Sequence, residues 1–116
     1  MTVAAELLRN GKGVQSAAVD NAIATASVAA AGSVRHAVMG VDADYSAAPA
    51  AGFKTITLKF GTVAKFVWRW DFTKGSFQRN LPAPWHAEHG EAVSVELEAS
   101  GTPAVTGRAG LWYASR

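Results

Sequence analysis

The chain has 116 residues, eleven basic against nine acidic, no cysteine, and 49% apolar residues of which twenty-four are alanine. One domain with a small core fits that length, while disulfides, thiolate metal sites and cysteine nucleophiles are excluded outright. A formal charge of +2 with no basic tract gives no footprint for nucleic acid, and no partner of that kind is expected.

The first residues, Met-Thr-Val-Ala-Ala-Glu-Leu-Leu-Arg, lack a basic region followed by an unbroken apolar run, so no secretory signal is expected and synthesis is taken as cytoplasmic. Val3, Leu7 and Leu8 share one face of a short helix ended by Gly11 and Gly13. A helix this short is marginal alone. Residues 1–13 are therefore read as an N-terminal arm, packed on its own domain or ordered in an assembly, and residues 14–116 as the domain proper. From Ala17 to Ala31 alanine favours helix, but Thr25, Ser27 and Val28 favour strand. With Val34 to Asp44 the stretch reads as two strands of small residues joined near Gly32-Ser33. The Ala-rich run from Ala22 to Gly32 is far short of the roughly 20 residues that span a bilayer, so no membrane is expected.

Tyr45 to Gly52 reads as a loop. Phe53 to Phe60 then alternates, with Ile56, Leu58 and Phe60 on one face and Thr55, Thr57 and Lys59 on the other. Gly61-Thr62 turns the chain into Val63 to Phe72, where Ala64, Phe66, Trp68, Trp70 and Phe72 are expected to share a face opposite Lys65, Val67, Arg69 and Asp71. Lys74-Gly75 makes the next turn and Ser76 to Asn80 a short strand. Pro82 and Pro84 then break regular pairing, with an irregular connection expected to about Gly90. Val93, Val95, Leu97 and Ala99 alternate with Ser94, Glu96 and Glu98. After the Ser100-Gly-Thr-Pro103 turn, Val105, Gly107, Ala109, Leu111 and Tyr113 alternate with Thr106, Arg108, Gly110 and Trp112. About eight short strands separated by turns predict an all-β, antiparallel jelly-roll-like sandwich behind the short arm.

Trp68-Arg-Trp-Asp-Phe72, Phe77-Gln-Arg-Asn-Leu-Pro82, Gly90-Glu-Ala-Val-Ser-Val-Glu-Leu97, and Ala99-Ser-Gly-Thr102 through Gly107 to Trp112-Tyr113 follow one another in a recurring order. In this order the chain, over about residues 53 to 116, resembles small accessory virion proteins of tailed bacteriophages, compact jelly rolls similar in layout to tumour-necrosis-factor-like sandwiches. The resemblance implies a capsid decoration or cement protein, made in the host cytoplasm and carried in the virion, that contacts the major capsid protein or other virion proteins. It also implies a homo-oligomer, a trimer first and a dimer next.

Candidate interface residues are the arm's Val3, Leu7 and Leu8, the loop residue Trp85, and Val67 and Trp112, each opposite the better core face of its strand. Trp68 and Trp70 share a face with Phe66 and Phe72 and read as core; with Trp85 they are the residues of an alternative glycan- or receptor-binding module, because exposed indoles stack on sugar rings. His86, Glu88 and His89 lie close in sequence but match no metal-ligand spacing and read as a solvated loop. Glu96 and Glu98 share a wet strand face, Ser residues lack a nucleophile-elbow context, and Gly11-Lys-Gly13 is too short for a phosphate loop. No enzyme, cofactor or metal is expected.

Overall fold

The structure, a computed structural model, describes residues 12–115. It is an antiparallel sandwich of β1 (Lys12–Gln15), β2 (Val19–Asp20), β3 (Ala24–Val28), β4 (His36–Tyr45), β5 (Phe53–Phe60), β6 (Val63–Asp71), β7 (Phe77–His86), β8 (Val93–Leu97) and β9 (Thr106–Ser115), with a 3-10 turn at Phe72–Lys74. One sheet runs β1-β9-β4-β7, with β2 continuing β1's place along β9; the other runs β3-β8-β5-β6. Apart from the β1–β2 and β5–β6 steps, the chain crosses from sheet to sheet in jelly-roll order, and the expected eight strands become nine because the first is interrupted. At that break Ser16 hands its backbone N–H to the Ala109 carbonyl, and its hydroxyl accepts the Ala109 N–H at 3.0 Å. Among the described residues no helix is long and apolar enough to cross a membrane.

Four details differ from the pattern the sequence predicts. Lys12 and Gly13, expected in the arm, begin β1 and pair with Tyr113 and Trp112; Val3, Leu7 and Leu8 lie outside the described residues. The two Ala-rich strands, β3 and β4, do not pair with each other but cross from one sheet to the other through the turn at Gly32-Ser33. In the β5–β6 hairpin Leu58 pairs with Phe66 but Lys59 with Ala64, so Lys65 is an extra residue and Ala64 shares the face of Lys59 rather than that of Phe66. Finally, β7 does not stop at Asn80. Val38 pairs with Trp85 and Gly40 with Asn80, so Leu81–Pro84 bow out of the ladder, where neither proline could donate, and the strand resumes at Trp85-His86.

The core lies between the sheets: Ile56, Leu58 and Phe60 of β5 and Val93, Val95 and Leu97 of β8 face Val38, Val41, Ala109 and Leu111. Lys54, on the same side of β5, is only 6% exposed, and its ammonium reaches Glu98 at 3.6 Å. At one end the turn before β8 is tied to the β3–β4 crossing: Gly90 has φ +72°, its N–H donates to the Val34 carbonyl at 3.0 Å, and a Cβ there would sit 2.8 Å from the Gly32 carbonyl oxygen. Left-handed backbone and a fixed oxygen both demand glycine at this position. Gly90→Ala is expected to cost about 2 kcal/mol or more, read as a lowered thermal midpoint; an unchanged midpoint would mean that the two turns are not held together.

Candidate interaction surfaces

β6 and β7 are edge strands of opposite sheets and lie on the same side of the sandwich, so the side chains between them must close the gap that ladder hydrogen bonds close elsewhere. Six aromatic rings do this. Phe66 meets Trp85 with ring centroids 3.9 Å apart and stacks on Trp68 at 5.2 Å; Phe77 lies 5.8 Å from Trp68 and 6.1 Å from Trp70; Phe60 meets Trp85 at 5.6 Å. The Trp70 indole N–H donates to the Gly75 carbonyl at 3.1 Å. Trp68, Trp70 and Trp85 are thus brought together, half-buried, in one aromatic seam. Their residue types were legible in sequence; their meeting across two sheets was not.

Val67 and Trp112 are set apart from the seam and from each other. Val67, 59% exposed, projects from the outer face of β6 opposite Thr57. Its neighbours there are polar, with the Lys59 ammonium 2.9 Å from the Glu96 carboxylate. Phe53, Val63 and Phe66 add exposed apolar surface to the same hairpin, where Arg69 lies over the Phe53 ring at 5.7 Å. Trp112, 41% exposed, stands on the outer face of the other sheet.

Beside Trp112 lies a surface the sequence reading did not assemble. Directly paired residues share a face, and two outward rows cross the sheet: Gly13, Trp112, Gly40 and Asn80, then Gln15, Gly110, Asp42 and Gln78. They line a concavity of about 290 Å³. Asp42 leans across Gly110, where a Cβ would fall only 1.9 Å from its Oδ1. Partial burial, then repulsion from Asp44, raises the Asp42 pKa above the ordinary aspartate value, with Arg108 opposing. The alternation of β9 already turned Gly110 and Trp112 outward; the rest of each row depends on cross-strand register.

Among the described residues no three metal-ligating side chains converge; Glu88 and His89 are exposed in the turn after β7, and His86 is half-buried within it. Tyr45, whose hydroxyl donates to the Glu98 carbonyl at 2.5 Å, has its pKa pushed up by burial and then by the Glu98 carboxylate, and so stays protonated. The Asp71 carboxylate accepts from the Thr73 hydroxyl and N–H, which lowers its pKa and pins the 3-10 turn rather than preparing chemistry.

No family model and no curated protein sequence matches the chain. Solved structures do: a chain in the acidic stable capsid structure of Helicobacter pylori bacteriophage KHP30 aligns with 90% of this chain and 86% of its own at 14% identity, with a TM-score of 0.56. A CBM36-1 domain of a multidomain xylanase from the hindgut metagenome of Trinervitermes trinervoides aligns at 10% identity, 91% and 95% coverage and a TM-score of 0.46. A carbohydrate-binding module CBM36 in complex with calcium and xylotriose aligns at 16% identity, 84% and 76% coverage and 0.40. The capsid likeness is one of fold.

Proposed function

We propose that the chain is a structural component of a tailed-phage virion, seated on the capsid as a decoration or cement protein through subunit contacts. The observation that carries this reading is the β5–β6 hairpin: its outer strand is an edge of nine residues, and the hairpin exposes Phe53 and Val67 on its outward side and Val63 and Phe66 on the other. An exposed edge of this length with apolar side chains is a liability in a solitary protein and an asset in an assembly. Likeness in fold to a capsid chain over nine-tenths of the sequence supports the same reading. Trp85, in contact with Phe66, extends the apolar surface on the seam side of the hairpin, and the arm residues Val3, Leu7 and Leu8 add a second attachment point. The protein associates as a trimer, or failing that a dimer.

Light scattering over a concentration series tests this. Wild-type protein is expected at a multiple of its 12.1 kDa chain mass. Val67→Asp is expected to weaken association by about tenfold or more, while exposed Val67 leaves stability within about 0.5 kcal/mol. Unchanged mass in Val67→Asp would remove the hairpin from the interface, and a wild-type monomer at every concentration would remove self-association. In the glycan-binding alternative built on Trp68, Trp70 and Trp85, one face of Trp68 is already taken by stacking on Phe66, so a sugar there would rest mainly on Trp70 and Trp85.

A further inference from the structure

Three concavities lie end to end on the outer face of the β1-β9-β4-β7 sheet. The central one, of about 290 Å³, shares Gln15, Asp42 and Gln78 with a smaller one of about 110 Å³ that reaches Asp44 and Arg108. On its other side it shares Asn80 and Trp112 with one of about 370 Å³, walled by Met39 and the bowed Leu81–Pro84 segment. Together they form a groove that follows β4 from Asp44 to Met39, about 16 Å at strand rise.

From this groove we infer a binding site for a neutral oligosaccharide, with Trp112 as its stacking platform and Gln15, Asp42, Gln78 and Asn80 as its hydroxyl-reading side chains. The groove lies on a different sheet from the hairpin proposed above for association, and the inference does not depend on that proposal.

Three features argue for this class of ligand. The floor is cleared by Gly13, Gly40 and Gly110, none of which has a positive φ, so backbone conformation does not require them there. A Cβ on Gly40 would lie 3.1 Å from Asn80 Oδ1, and one on Gly110 would collide with Asp42, so the glycines let both polar side chains lie flat along the floor. Glycine inside a strand weakens it and marks a close approach, here by Asp42, Asn80 and the Trp112 ring, which are thereby laid low across the floor and presented to whatever enters the groove. Second, β9 and β4 are internal strands whose backbone groups are spent in the ladder. An extended peptide pairs at a free edge, which this sheet offers only at β1 and β7 and not along the β4–β9 floor of the groove. Any ligand must be met by side chains. Third, those side chains match hydroxyl groups: a carboxamide donates and accepts, a carboxylate accepts, and within the described residues Gln15, Asp42, Gln78 and Asn80 make no side-chain hydrogen bond of their own. Asp42 and Asp44 against the single Arg108 disfavour an anionic ligand, and the 41% exposed indole supplies the apolar face that a sugar ring covers.

The test uses the full chain and three neutral trisaccharides, cellotriose, maltotriose and triacetylchitotriose, titrated by calorimetry and by the tryptophan indole N–H resonances. At least one is expected to bind in the millimolar range or tighter and to shift the Trp112 resonance. Trp112→Ala is expected to weaken that binding about tenfold or more. Gly110→Ala, which displaces only the flexible Asp42 side chain, should weaken it while leaving the thermal midpoint near wild type, and keeps the test decisive if Trp112→Ala folds poorly. Absence of saturable binding by all three up to about 10 mM overturns the proposal. So does binding that survives Trp112→Ala or Gly110→Ala, or that shifts the Trp68 and Trp70 resonances instead, which would return the sugar to the aromatic seam.

Discussion

Leu58→Ala is expected to lower the unfolding free energy by about 3–5 kcal/mol, at the upper end of what a truncated leucine costs. Leu58 is fully buried at the centre of its sheet, paired with Val95 on one side and Phe66 on the other. The cost of such a truncation depends on how far the surroundings can fall into the space left behind. Here the surrounding core is rich in alanine, Ala43 and Ala109 in the facing sheet and Ala24 and Ala26 in its own, with no side chain to swing inward. At about 4 °C per kcal/mol for a domain of this size, the thermal midpoint should fall by roughly 12–20 °C. A loss below about 1 kcal/mol in urea titration would show that the two sheets are loosely packed around this position.

Trp85→Ala is expected to cost about 2–3 kcal/mol, less than a fully buried tryptophan because the indole is half-exposed. The ring touches Phe60 and Phe66, and Trp85 also marks where β7 re-enters its ladder opposite Val38. Its removal opens the seam and unpins the second half of β7. Trp85→Phe should recover most of the loss, since ring packing and not the indole N–H carries the contact. Mass measured beside stability separates two roles: a falling midpoint with unchanged mass assigns Trp85 to the seam, and a falling mass with an unchanged midpoint assigns it to the subunit interface alone.

Strict alternation made β5, β8 and β9 legible from the sequence, because one face of each is apolar and the other polar. In the Ala-rich third the signal fails, since alanine is at home in a helix and in a strand with small neighbours. Two irregularities left no mark. The extra residue at Lys65 shifts side-chain parity by one without any glycine or proline to announce it, and the resumption of β7 at Trp85 is hidden behind Pro82 and Pro84. Of the candidate positions, Trp112 was readable as outward-facing and Val67 likewise. The groove was not, because Gly13, Gly40, Asn80 and Trp112 come from four strands and meet only through register.

The place of β9 has a consequence for how the molecule comes into being. The strand Thr106–Ser115 holds β1, β2 and β4 together. Until it docks, β4 lacks its central neighbour, β1 and β2 have nothing to pair with, and the inner faces of Val38 and Val41 stay uncovered. The sheet therefore closes only through contacts far apart in sequence, Lys12 with Tyr113 among them, which slows folding and makes the partly folded chain the stage most exposed to aggregation.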